Sequence, residues 1–164
     1  MSVADVASLS GLDLLRWVQS EMPADIPSME RLLGMRLDVV EHGRVVISVD
    51  TRPDFANALG TVHGGVAATM LDSAMGSAVH TTLPAAVGYT TVDLKVSYVR
   101  PARTDGRRLT AEGTVIHAGG RIATAEGRVT DDRGRLIAHA TTTCLIIHGR
   151  QLTSTSQAQL VDNA

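Results

Sequence analysis

The sequence predicts an α+β fold in which one long helix, apolar on nearly every side, is wrapped by a curved antiparallel sheet. Two observations carry this expectation. The run Val66–Val79 holds no proline, one glycine and a single formally charged side chain, Asp72. Its other residues are apolar or small, the pattern of a helix buried nearly all round. Four strand candidates then follow in succession, separated by short turns rich in Gly and Asp. A long apolar helix followed by consecutive strands is an α+β layout, and curving the sheet around the helix covers it most simply.

The elements read in chain order as follows. Ser10 caps a helix start, and Leu12 to Met22 forms an amphipathic helix stopped by Pro23. Ser28 caps a short helical turn that ends at Gly34. Met35–Val40 and Val45–Val49 read as two strand segments around a turn at His42-Gly43-Arg44. The long helix spans about 62–80. Strands are expected at about 86–99, 107–118, 121–131 and 135–147. Residues 1–149 read as a single domain with an N-terminal helical segment over 1–33. The polar stretch 150–164 reads as a frayed, disordered tail.

Composition narrows the function. At 164 residues the chain has room for one sizeable core. Mean hydropathy is +0.10, and 44% of residues are apolar, as expected of a globular protein. A net charge of −2 and a pI of about 6.3 give neither a nucleic-acid footprint nor a polybasic membrane patch. Aromatics at 2% provide no base-stacking platform. The single cysteine, Cys144, excludes an internal disulfide and fits a reducing compartment, so a cytoplasmic location is expected. It falls within a strand and reads as core. Histidines 42, 80, 117, 139 and 148 lack ligand spacing, so no metal is expected. There is no Gly-x-Ser-x-Gly elbow and no glycine-rich phosphate loop before a helix.

The chemistry gathers on the long helix. Asp72 is a carboxylate in an apolar run, with no Lys or Arg near it in sequence, and such a group is costly unless paired or used. Ala68, Thr69 and Gly76 lie at helical spacing around it and leave space. The helix opens with His63-Gly64-Gly65, whose backbone N–H groups face outward at the positive end of the helix dipole. Such donors stabilise a carbonyl oxygen as it becomes an oxyanion in acyl transfer. Asp72 lies nine residues after His63, about 13 Å along the axis and about 180° around it. One carbonyl cannot touch both ends of a straight helix. Two chains must then contribute to each site, which makes the protein an obligate dimer with two composite sites.

The pattern Asn57…His63-Gly64-Gly65…Asp72, then Thr91-Val92-Asp93…Tyr98…Pro101-Ala102, resembles the hotdog-fold acyl-CoA thioesterases, specifically the phenylacetate-degradation (PaaI-like) type. The resemblance runs from about Met29 to Leu145. It implies a long helix wrapped by a sheet, assembly into dimers or tetramers, and hydrolysis of an acyl-CoA thioester at the subunit interface. It implies that Asp72 acts as nucleophile or general base and that the Gly64 N–H serves the oxyanion hole. Asn57 and Thr91 would place water. Serine is frequent at the Thr91 position, and the hydroxyl is retained here. His63 would orient the thioester. The hairpin turn Gly119-Gly120-Arg121 would contact CoA, with Gly65, Arg100 and Arg103 as further substrate contacts. No cofactor is needed, since CoA is part of the substrate. A hotdog hydratase or dehydratase, and a non-catalytic acyl-CoA binder, are the alternative readings.

Overall fold

The computed structural model of the chain describes residues 8–21 and 26–148. Three helices occur in this part: α1 (Gly11–Glu21), α2 (Met29–Leu33) and α3 (Gly64–His80). The strands are β1 (Arg36–Glu41), β2 (Arg44–Asp50), β3 (Val87–Tyr98), β4 (Arg108–Ala118), β5 (Ile122–Asp131) and β6 (Leu136–His148). A short 3₁₀ turn at Pro53–Phe55, not anticipated from the sequence, precedes α3. The expected end of the first helix at Met22-Pro23 and the polar stretch 150–164 lie outside the described residues.

The strands form one antiparallel sheet in the order β1-β2-β4-β5-β6-β3. The chain leaves β2, runs along α3, and enters the sheet again at its far edge as β3. It then returns to the centre with β4. Helix α3 lies against β2, β3, β4, β5 and β6. Its buried face carries Val66, Ala67, Met70, Leu71, Ala74, Met75, Ala78 and Val79. Two paired glycines let this helix come close. Gly113 and Gly127 face each other across β4 and β5. A Cβ at Gly113 would lie 2.5 Å from the Ala74 carbonyl, and one at Gly127 would lie 2.9 Å from Met75 Cγ. The helix backbone therefore rests directly on the middle of the sheet.

Helix α3 is not buried all round, which corrects the sequence expectation. Gly64, Gly65, Ala68, Thr69, Asp72, Ser73 and Ser77 remain exposed or half-buried on one side. Nearly all are small. This stripe faces away from the middle of the sheet, and no element among the described residues covers it fully.

Local signals explain the remaining elements. Ser28 Oγ accepts from the Arg31 N–H, and Gly34 closes α2 with φ 73°. Gly43, at φ 76°, turns β1 into β2. Its N–H donates to Thr81 Oγ1 at 2.7 Å and ties that turn to the end of α3. Helix α1 docks there too, through the Gly11 N–H to the Leu83 carbonyl at 3.0 Å.

His80, in the last turn of α3, is 2% exposed, and its Nε2 has no partner. Its ring packs against Tyr89 with centroids 5.7 Å apart. Burial pushes its pKa down to about 4, so it is neutral in the fold. The unfolded chain binds a proton near pH 6.5 and the folded chain does not, so His80 contributes full stability above that pH. The contribution falls away as pH drops from about 6.5 toward 4, by at most about 3 kcal/mol. Thermal melts of the wild type and His80→Phe from pH 7.5 to 4.5 test this. The Tm of the wild type should fall more steeply with acid than that of the variant; parallel curves would remove His80 from the explanation.

Candidate functional site

Helix α3 and strand β3 build the site between them. They run side by side, and three contacts set their levels. Tyr98 Oη donates to the Gly64 carbonyl at 3.0 Å at the helix start. Thr91 Oγ1 donates to Asp72 Oδ1 at 2.9 Å in the middle. Tyr89 sits beside Gly76, where a Cβ would lie 2.5 Å from the tyrosine oxygen.

A bulge makes this possible. The register of β3 on β6 shifts between Thr91 and Asp93. Thr91 and Tyr98 are an odd number of residues apart and would otherwise face opposite ways. The extra residue, Val92, brings Tyr89, Thr91 and Tyr98 onto the face that looks at α3.

Asp72 is half-buried rather than buried, a second correction. The sequence offers it no local donor; the structure supplies one from a strand nineteen residues away, the Thr91 hydroxyl. Around it lie Ser73, which donates to Glu30 Oε1 at 3.1 Å, and Tyr89. Burial raises the Tyr89 phenol well above its ordinary value, helped by Cys144, Asp72 and Glu30, so it stays protonated. Cys144 is fully buried in the core, and burial raises its thiol as well.

The start of α3 forms the other half. His63 is the N-cap in extended backbone, and its Nδ1 accepts from the Gly65 N–H at 2.9 Å. That bond occupies the Gly65 N–H within the chain. The Gly64 N–H has no partner among the described residues. It opens on a cleft of about 310 Å³ lined by Asn57, His63, Gly64, Tyr98, Arg100 and Ala102, among others. Asn57 is bound up in its own loop: its Oδ1 accepts from the Leu59 and Thr61 N–H groups at 2.9 and 3.2 Å, and its Nδ2 donates to Thr61 Oγ1. It shapes the loop that leads into the helix and keeps one amide proton for a ligand.

The expected residues thus fall into three groups within one chain. Asp72 and Thr91 meet in the middle of α3. Gly120 and Arg121 form the exposed β4–β5 turn, where Arg121 accepts at its carbonyl from the Ile146 N–H. That turn lies at the end of the sheet where Tyr89 sits, since Ile122 pairs with Leu145 and Tyr89 with Ile146. His63, Gly64, Asn57, Arg100 and Arg103 lie at the opposite end. Gly64 and Asp72 are eight residues apart on one continuous helix, about 12 Å along its axis. Tyr98, which fixes the helix start, and Glu30, which reaches Ser73, were not singled out as site residues from sequence. Among the described residues, no group of three or more His, Cys, Asp or Glu could hold a metal ion. No helix among them is long and apolar enough to cross a membrane.

Comparison with known proteins bears on this geometry. A thioesterase superfamily profile matches residues 59–138, which include the start of α3, Asp72 and Thr91. The Escherichia coli medium/long-chain acyl-CoA thioesterase YigI is 31% identical over 133 residues, covering 71% of this chain and 83% of YigI. The chain belongs to the thioesterase superfamily. A Halobacterium salinarum protein named as an esterase is 38% identical over 92 residues; the match spans 53% of this chain but only 59% of that relative. Among solved structures, a phenylacetic acid degradation-related protein of Ralstonia eutropha superposes with a TM-score of 0.71 at 28% identity, covering 80% of this chain and 97% of that one. The helix-and-sheet arrangement of this thioesterase-superfamily chain is the hotdog fold expected from its sequence.

Proposed function

We propose that the chain hydrolyses acyl-CoA thioesters as a homodimer, each site taking Asp72 from one copy and the helix start from the other. The observation that carries this reading is the placement of two complementary groups on one helix. Asp72 is open on one side and held by Thr91, while the unfilled Gly64 N–H lies about 12 Å away. Neither is sufficient for thioester hydrolysis alone, and one carbonyl cannot reach both.

Two surfaces support the pairing of copies. Strand β3 is the twelve-residue edge of the sheet, and among the described residues only β6 pairs with it. The other edge, β1, is short and bulged, and Gln19 Nε2 donates to its Leu37 and Asp38 carbonyls. A long unprotected edge is a pairing surface. The small-residue stripe of α3 lies beside that edge, so a second copy seated there covers both. Exposed Ile116, Ile122 and Leu145 near the β4–β5 turn provide a further apolar surface on which dimers pair as a homotetramer. The buried lone Cys144 suits a reducing, cytoplasmic setting.

In this reading the Gly64 N–H and the helix dipole hold the oxyanion. His63 orients the thioester through its remaining ring nitrogen. Asp72 either takes a proton from water that attacks the carbonyl, or attacks it directly and is released by water. Thr91 fixes the carboxylate, and Asn57 offers its spare proton to the water. The C–S bond then breaks, and CoA leaves as a thiolate that gains a proton. Arg121 with Gly120, and Arg100 with Arg103, meet the CoA phosphates.

Asp72→Asn should keep the fold and lower kcat for acyl-CoA by about 10²–10⁴, the usual cost of losing a general base. Thiol release, followed with a chromogenic disulfide and several acyl-CoAs, measures it. An Asn variant as fast as the wild type would refute the assignment. Thr91→Val should lower kcat more than it changes KM, and Thr91→Ser should restore it.

Mixing two dead variants tests the composite site. Asp72→Ala and Gly64→Pro should each be nearly inactive. His63 has φ −60° and ψ 134°, which suits a residue before proline, and proline is accepted in a first helical turn. The proline carbons approach the exposed Tyr98 ring, so circular dichroism must show that the helix persists. Purified hybrids should reach about half of wild-type activity, because one of their two sites is intact. Hybrids no more active than their parents would show that the two groups do not share a site across chains.

A further inference from the structure

A second cavity of about 330 Å³ adjoins the cleft at the helix start and shares Arg100, Pro101, Ala102 and Leu109 with it as a common wall. It lies between the end of β2, the β3–β4 loop and the β5–β6 turn. Those three segments are far apart in sequence, yet they bring five arginines to one place: Arg100, Arg103 and Arg107 from the loop, Arg133 and Arg135 from the turn. Only two carboxylates, Asp131 and Asp132, line it.

The pairing within the cavity leaves charge unspent. Asp131 is committed to the turn: it accepts from Arg135 Nη2 at 2.7 Å and from the Arg133 and Arg135 N–H groups. The Arg135 guanidinium and these N–H groups hold its carboxyl down to about 2. Arg107 pairs with Asp105 at 3.2 Å, and Arg100 donates to the Leu136 carbonyl at 2.7 Å. The guanidinium groups of Arg103 and Arg133 have no partner among the described residues. Thr51, 3% exposed, also lines the cavity, and its Oγ1 is buried with no hydrogen-bond partner among the described residues. A buried hydroxyl without a partner calls for a ligand or an ordered water. Arginines converging on a cavity without enough carboxylates repel one another until an anion enters. Their planar forks suit phosphate oxygens in particular.

We propose that this cavity binds a phosphate ester through Arg103, Arg133 and the Thr51 hydroxyl. On the acyl-CoA reading above, on which this assignment of the ligand rests, the group is the nucleotide phosphate of CoA. The pantetheine arm then crosses the Pro101-Ala102 rim toward Gly64. That rim is tied to the helix entrance by the Val62 N–H to Ala102 carbonyl bond at 2.9 Å, so phosphate docking and the oxyanion donor are held in fixed relation. The same chemistry is offered to a free phosphate, and the test separates the two sources.

The experiment is a calorimetric titration with 3′-phospho-ADP, the nucleotide end of CoA, and separately with inorganic phosphate. It needs no turnover, so it stands even if thioester hydrolysis is not observed. The proteins are the wild type, the double variant Arg103→Ala/Arg133→Ala, and Thr51→Val. The double variant should weaken 3′-phospho-ADP binding at least about tenfold, as expected for losing charge-assisted bonds. Thr51→Val should weaken it as well. Binding to the wild type should weaken with added salt. The arginines replaced have no partners, so the variant should melt within a few degrees of the wild type. If inorganic phosphate binds as tightly as the nucleotide and is lost with it, the site takes the phosphate group as such. Unchanged nucleotide affinity in the double variant, or no binding of either probe to the wild type at millimolar concentration, overturns the proposal.

Discussion

The close approach of α3 to the sheet is the constraint from which the rest of the structure follows. At Gly113 the helix meets the sheet backbone to backbone, with no side chain between them. Such an approach is available only where both surfaces lack bulk, and the Gly113–Gly127 pair provides that across two neighbouring strands. Pressing the helix into the sheet buries one face completely. It also leaves the opposite, small-residue stripe only half covered among the described residues, touched by β3 through Thr91 and Tyr98 and by Glu30 of α2. The long apolar residues needed for the core therefore lie on one side, and the chemistry-bearing residues on the other. Substituting a larger side chain at Gly113 would move the helix bodily, and Asp72 would move with it relative to Thr91.

Strand β3 acts as the second fixed rail. Its bulge at Val92 turns three polar-tipped side chains, Tyr89, Thr91 and Tyr98, toward α3 at three successive levels. Each meets the helix where a small residue or a polar group receives it: Gly76, Asp72 and the Gly64 carbonyl. The helix start is held from the other side by the Ala102 carbonyl, which accepts from Val62, and by Phe55, whose carbonyl accepts from the His63 N–H at 2.7 Å. Positioning of this kind suits a site whose donors must be in place before charge develops on a carbonyl.

Much of this architecture was legible in the residues. Ser28 and Gly34 announce a capped helical turn, and the Gly-rich and Asp-rich turns announce hairpins that the structure contains with boundaries shifted by a residue or two. Asp72 stood out because it is the one formal charge in a long apolar run. Its exposure was not legible, because the run hides a small-residue stripe: Ala68, Thr69, Ser73 and Ser77 read as compatible with burial and face outward instead. The bulge was equally hidden. Val92 is an ordinary strand residue, and only the ladder with β6 reveals that it is extra. Simple alternation puts Thr91 and Tyr98 on opposite faces, so the residues alone do not show that both meet α3. At Gly65 the position shows a helix-start N–H but not its partner, which is the His63 ring nitrogen two residues back. Arg103 was named among the substrate contacts, but its meeting with Arg133 of a separate turn has no sign in the sequence.

The distribution of charge adds a last constraint on the proposed reaction. A carboxylate that must approach a thioester also repels a substrate carrying several phosphate charges. Within the chain, Asp72 lies in the middle of α3 with Glu30 of α2 close by at Ser73, while arginines gather beyond the start of α3. The helix between Gly64 and Asp72 is about 12 Å long, comparable with the distance over which salt screens exposed charges, about 8–10 Å. The acid therefore costs little at the place where phosphate would dock. In a two-copy site the carboxylate comes from the neighbour and meets only the carbonyl, while the arginines of the chain that provides Gly64 hold the phosphates. Moving the acid to the helix start would satisfy the reaching distance within one chain. It would also set a negative charge beside the Gly64 N–H, where the oxyanion is to form, and cancel the field of the helix dipole. Keeping the acid and the oxyanion donor at separate levels of one helix avoids that conflict, and under the proposed reading a second copy is what brings them together.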